Sequence, residues 1–317
     1  MRKIWFVIIL ILIFLVGCTT EKVKPIPSPM PSPTSTPTPT PTPTPVPDKE
    51  INQPQVEQDP VEQVKPAIDT SKLGKVFGFA GVKGQQILVT GLGTGQEDLM
   101  SPLNIAIGAN GEIVPIKYLE WQEGNEELNN GRDLSINMTN MPGYLFTVEE
   151  GLAQEDQTYY LINDAQFDTG ALLAIQVNNE LVSDEQLLSQ LQAIHDRKIE
   201  QAWNLAEIED TNELYLVHFE TLGGEHLFSL VLKRGDKFIV KDYPETQKET
   251  TSVWRVDDGG EISADNFSFM FAVNTNDGIL LSLNWWGVEG VNSIFLLEQD
   301  QILKELETRY GRYTFPI

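Results

Sequence analysis

The residues able to do chemistry in this chain are few and scattered. There is one cysteine, Cys18, and there are three histidines, His195, His218 and His226. A zinc site drawn from Cys or several His has almost nothing to build on, and a disulfide framework has no second sulfur. His218 and His226 flank one hairpin turn. A two-residue Gly223-Gly224 turn places them on opposite faces, whereas a three-residue loop through Leu222 places them on one face, where Glu220 or Glu225 adds a carboxylate for a metal. His195 falls on an apolar stripe and reads as a hydrogen-bonded core or boundary residue. Gly91-Leu92-Gly93-Thr94-Gly95 follows a strand but lacks the G-x-G-x-x-G spacing and a following helix to bind phosphate. Asp257 to Glu261 and Asn274 to Gly278 are rich in oxygen ligands, but the first run lacks alternate spacing and in the second Gly278 and Trp285 fall where a calcium loop needs a ligand and a glutamate, so both read as turns. No nucleophile motif stands in an interpretable setting. The expectation is therefore no catalytic residue, no metal ligand and no cofactor.

Charge narrows the partners. The chain carries 22 basic and 46 acidic residues, a net of −24, which excludes nucleic-acid binding through phosphate neutralisation. Residues 1–70 hold a net of only −1, so the remaining 247 residues carry −23. Acidity of that size keeps an exported domain soluble and repels anionic lipid and wall polymers.

The N-terminus reads as an address. Arg2 and Lys3 precede an uncharged run from Ile4 to Gly17. As a helix that run reaches about 21 Å, too short for a hydrocarbon core of ~30 Å. It ends in Leu15-Val16-Gly17-Cys18. Basic start, apolar run and this tetrapeptide together resemble the signal peptide and lipobox of bacterial lipoproteins, over residues 1–18 only. The resemblance implies a signal peptide at 1–17, acylation of Cys18 with diacylglycerol and palmitate, and a protein held by lipid on the outer face of a bacterial membrane. Two acyl chains at about 0.8 kcal/mol per buried CH₂ anchor stably.

Eleven of the 19 prolines lie between Pro25 and Pro47, alternating with threonine. Such a run cannot form helix or paired strand and extends as polyproline II, roughly 70 Å at ~3.1 Å per residue. With the polar stretch up to residue 70 it predicts a disordered stalk, 18–70, lifting a globular part, 71–317, off the membrane.

The globular part divides into short alternating segments and one long helical pattern. Strands are expected near 75–80, 86–90, 104–107, 112–118, 144–148, 158–163, 171–177, 214–220, 226–233, 237–243, 253–256, 279–286, 293–298 and 302–306. Pro115 suggests an edge strand. Residues 266–273 fit either a strand, through Phe267, Phe269 and Phe271, or a short helix capped by Ser263. From Ser183 to Ala206, capping residues Ser183 and Asp184 precede Leu188, Leu191, His195, Ile199, Ala202 and Ala206 at three- and four-residue spacing, which predicts a helix of about 184–206. Strands, one long amphipathic helix, then strands again argue an α+β class with antiparallel sheets, in one domain or in two, 71–180 and 181–317.

In the strand ending Trp285-Trp286, alternation buries Trp285 and sets Trp286 beside Ser282 and Asn284, a place suited to stacking on a sugar or on a partner's side chain. The functional expectation is a non-catalytic binding or accessory lipoprotein whose partners are the membrane, through its lipid, and a cell-wall polymer or surface protein. The competing expectation is an exported hydrolase of wall or surface polysaccharide using paired carboxylates.

Overall fold

The computed structural model describes residues 65–246 and 262–315. All of them belong to one compact unit that begins at Val61. The signal run, Cys18, the Pro/Thr repeat and the expected strand at 253–256 lie outside the described residues, as does the run 257–261.

The first strands close a barrel. β1 (Phe77–Ala80), β2 (Gln86–Val89), β3 (Ile105–Gly108), β4 (Glu112–Gln122), β5 (Gly143–Val148) and β6 (Thr158–Ile162) are hydrogen-bonded in the order β1-β2-β5-β4-β3-β6, with β1 closing on β6. Closure removes sheet edges. Pro115 is therefore not on an edge: its strand pairs with β3 through Ile105 and with β5 from Ile116 onward, so the missing N–H falls just before the second ladder begins. The interior holds Ile87, Val114, Ile116, Tyr144, Phe146 and Tyr159.

The remaining strands form one ten-stranded sheet: β7 (Leu172–Leu173), β8 (Ile175–Leu181), β9 (Ile199–Ile208), β10 (Asn212–Leu222), β11 (Glu225–Arg234), β12 (Lys237–Thr246), β13 (Phe267–Asn274), β14 (Ile279–Trp286), β15 (Gly290–Gln299) and β16 (Ile302–Tyr313). Its order is β7-β13-β14-β15-β16-β12-β11-β10-β9-β8. The two halves are antiparallel within themselves and join through β12 and β16, which run parallel and pair at Val240 and Ile302 alone. The sheet folds over at that joint, so that Leu214, Leu216, Phe228 and Leu230 of one half bury against Phe267, Leu281, Leu283 and Ile294 of the other.

The expected α+β class and the helix over 184–206 are corrected here. The molecule is mostly β, with α1 (Glu97–Met100) and α2 (Glu185–Ala193) as its α-helices among the described residues. Asp184 caps α2 as expected, its Oδ1 accepting from the Leu187 N–H at 2.9 Å. The helix stops because the chain turns through Asp196 in the left-handed region, φ 48°. The next residue, Arg197, donates to the Glu220 and Glu225 carbonyls of the β10–β11 hairpin at 2.7 and 2.6 Å. Residues 199–208 are then strand β9, between β8 and β10. Ala202 packs under α2 while Trp203, Leu205, Ala206 and Ile208 face the inter-sheet core. Two bulges against β10, one between Asn204 and Ala206 and one between Ile199 and Gln201, break the period of two, and here the apolar residues fell at helical spacing.

Residues 267–274 are strand β13, the outcome the Phe alternation favoured. Order also begins before residue 71. Ile68 is buried and bridges Thr275, and Lys65 pairs with Glu209.

The barrel sits on the outer face of β13–β15. Phe77, Ile107, Tyr160 and Ile162 of the barrel bury with Phe271, Val273, Leu280 and Phe295 of the sheet. The β3–β4 hairpin tip is fixed there by backbone bonds from Asn110 to Phe269 O, 3.1 Å, and from Gly111 to Met270 O, 2.7 Å. These fall at the β13 bulge, where the local ladder to β14 is interrupted.

Candidate functional site

Beyond Val240 and Ile302, β12 and β16 part, and a cleft of about 420 Å³ opens between them. Its floor is aromatic. Trp285 lies 5.2 Å from Tyr243 at a steep angle, and Tyr243 stacks on Phe228 at 4.7 Å. Its walls carry Glu245, Asn292, Glu305 and Arg309. Burial, with Glu305 nearby, pushes the Tyr243 hydroxyl well above its ordinary range. An aromatic floor with amide, carboxylate and guanidinium groups around it is equipped to hold a polar ligand that has a flat or apolar face.

A second cavity, about 460 Å³, lies on the barrel side of the same strand and shares Arg309, Tyr310 and Gly311 with the first. The Thr90 and Tyr310 hydroxyls meet there at 3.1 Å. Asp133 accepts from the Tyr313 N–H at 2.8 Å, yet burial holds its carboxyl above the usual range despite that bond and the nearby Arg312. Arg312 itself is buried. It donates to the carbonyls of Asp133 and Asp156 and lies over the Phe79 ring.

The residues singled out in the sequence fall in different places. Trp286 is half-buried on the barrel-facing side of β14, its Nε1 donating to Ser268 Oγ at 3.3 Å, and it lines none of the three cavities described in this subsection. Its neighbour Trp285, read as core, lines the cleft instead. Alternation assigned the two faces correctly. It could not show that a cleft opens onto the inner face where β12 leaves β16.

The histidines resolve the alternatives left open above. Gly223 and Gly224, both at positive φ (60° and 85°), make the two-residue turn. A bulge between Phe219 and Leu222 then shifts the register, so His218 opposes Phe228. That shift brings His218 and His226 onto one face. His226 Nδ1 is 3.0 Å from Thr221 Oγ1, and His218 Nδ1 is 3.8 Å from Glu200. Among the described residues no group of three His, Cys, Asp or Glu is placed to hold a metal. A third cavity, about 390 Å³, reaches His226 beside Arg197 and Thr246.

Burial lowers the His218 pKa below the ordinary 6.5, with Glu200 opposing. The unfolded chain therefore takes the proton first as pH falls, and the native state loses stability from about pH 6.5 downward. Above that pH both states are neutral and the group contributes nothing. Replacing His218 by Gln is expected to flatten the urea midpoint between pH 5 and 7. An unchanged slope would show that His218 does not titrate against folding.

His195 Nε2 and Ser229 Oγ both meet Asp242 Oδ1, at 2.9 and 2.5 Å. The carboxylate stands between hydroxyl and imidazole, so the imidazole does not adjoin the serine, which is fully buried and out of a substrate's reach. The set links the end of α2 to β11 and β12. The glycine-rich loop does open a helix, α1, but only of four residues with Glu97 and Asp98 in its first turn. Tyr144 holds the loop by bonds to Gly93 O and from the Gln96 N–H, 2.8 Å each. That arrangement presents carboxylates, not free N–H groups, to an anion. Thr275 closes the 274–278 turn on the Gly278 carbonyl at 2.7 Å.

No family model, no curated protein and no solved structure matches this chain.

Proposed function

We propose that this chain is a lipid-anchored protein of the outer face of a bacterial membrane, whose folded part binds a ligand rather than transforming one. The observation that carries the binding half is the cleft between β12 and β16, with Trp285 and Tyr243 beneath and Glu245, Asn292, Glu305 and Arg309 around it. Ser229 is fully buried and separated from His195 by Asp242, and the carboxyl that burial raises in the second cavity, Asp133, is already engaged by Tyr313. The anchoring half rests on residues 1–18. No helix among the described residues is long and apolar enough to cross a membrane. The ligand belongs to the envelope, a wall polymer or a surface protein, since the stalk and the −23 of residues 71–317 hold the cleft out from the lipid.

Fractionation of cells expressing the full chain tests both halves. Changing Cys18 to Ser is expected to release the protein from membranes or leave it uncleaved, and a normally processed, membrane-bound variant refutes the anchor. Purified envelope, stripped of its own copy, is expected to retain the wild type at least tenfold better than Trp285→Leu, which keeps apolar volume but removes the ring. Equal retention refutes the cleft as the binding site.

A further inference from the structure

We propose that the cleft is a strand position left vacant among the described residues: an extended, basic peptide segment of a partner protein adds to the edge of β16 between it and β12, a reading that rests on the cleft being the binding site.

Backbone direction carries the argument. Val240 donates to Gln301 O at 3.1 Å, so Val240 points its peptide groups toward β16. Alternate residues of a strand share that direction, so Asp242 and Pro244 also point into the gap. On β16, Tyr313 turns its N–H and carbonyl outward, and both are taken by Asp133, at 2.8 and 2.9 Å. Asp133 thus already pairs with β16 as an added strand would. Two and four residues back, Gly311 and Arg309 present the same outward groups. Among the described residues no further hydrogen bond closes on either.

The two larger cavities flank this free edge. One lies over Trp285 and Tyr243 and the other beside Lys75, Thr90 and Asp133, and both are walled by Arg309–Gly311. An added strand sends alternate side chains to opposite faces, which is what two cavities astride one edge accommodate. Glu245 and Glu305 rim the inner cavity, and residues 71–317 carry −23, so the side chains entering there are cationic or aromatic. Pro244 leaves the β12 side short of one donor, the device by which exposed edges avoid indiscriminate pairing. The peptide is therefore held mainly by β16 and runs antiparallel to both strands.

The full chain in detergent micelles, titrated with an octapeptide of alternating Lys and Val, tests this. Binding is expected, with slowed amide exchange at Arg309 and Gly311. N-methylation of alternate peptide amides is expected to weaken it at least tenfold on the hydrogen-bonding register and little on the other. Glu245→Lys with Glu305→Lys is expected to weaken it at least tenfold. Pro244→Val, which supplies the missing N–H, is expected to tighten it several-fold. Equal affinity for both methylated registers, or no peptide binding up to millimolar concentration, overturns the proposal. A chito-oligosaccharide that binds in a Trp285-dependent way while the peptide does not overturns strand addition and leaves the cleft a binding site. If neither probe binds and Trp285→Leu is retained on envelope like the wild type, the functional reading fails as well.

Discussion

Replacing Phe295 by alanine is expected to cost about 3–5 kcal/mol, the range for removing a fully buried aromatic side chain. Phe295 is inaccessible to solvent on the barrel-facing side of β15. Its ring meets Tyr160 edge-on at 5.2 Å and lies 5.7 Å from both Phe77 and Phe271. Two of those partners belong to the barrel and one to the sheet, so this side chain is where the two halves share a core. Removing it leaves a cavity between elements already fixed elsewhere by the Asn110 and Gly111 backbone bonds, which limits collapse. For a folded part of about 250 residues, each kcal/mol corresponds to roughly 2–4 °C, so the melting temperature is expected to fall by roughly 6–20 °C. Urea unfolding followed by tryptophan fluorescence measures it. A loss below about 1 kcal/mol would mean that the barrel is held to the sheet by its backbone and polar contacts instead.

Arg312→Met is expected to cost about 2–4 kcal/mol through a different mechanism. The guanidinium bridges β16 to the barrel by donating to two carbonyls, those of Asp133 and Asp156, in a site that is 3% exposed. Burial already lowers the pKa of this arginine, so its charge is not comfortable there. Methionine relieves that desolvation and fills most of the volume. It leaves both carbonyls without their donor, and the unmade bonds outweigh the relief. The Asp156 carboxylate meanwhile caps the 135–140 turn through the Ser135 N–H, so the loop carrying the carbonyl cannot move away. The loss should depend on pH. Asp133 sits above the usual carboxyl range, so its unfavourable ionisation in the native state is felt as pH rises from about 4, and Arg312 is one of the groups that opposes this. Without Arg312 the penalty should be larger at pH 7 than at pH 4. Equal penalties at both pH values would show that Arg312 acts on the carbonyls alone. Arg312→Lys, a point charge with no fork, is expected to fall between wild type and Met.

Most strands were legible because turn residues bound short runs rich in β-branched and aromatic residues, even where both faces are buried, as on β10, β11, β14 and β15. The β14 alternation, with Ile279, Leu281 and Leu283 on the inter-sheet side and Leu280 toward the barrel, follows directly from period two. The misread segment was β9, where two bulges against β10 break that period and an adjoining capped helix lent it a false one. His218 and His226 show the limit of local rules from another side. The turn was identifiable from Gly223-Gly224, but the bulge that decides which face His218 occupies depends on how β10 fits between β9 and β11.

From the sequence by itself come the expectation of an anchor and a stalk and the acidity of residues 71–317, because an apolar run, a proline repeat and a charge imbalance act through composition and need no partner. It also determined most of the strands, through turns and alternation. Only the tertiary structure decided that the first six strands close while the other ten fold over on a single residue pair, Val240 and Ile302. That one pair sets where the cleft begins. Residues 67 positions apart, Asp242 and Arg309, thereby frame a cleft over Trp285, a side chain whose own strand marks it only as apolar. Periodicity reports which face a residue takes. What lies against that face is set by long-range pairing, which no local spacing encodes.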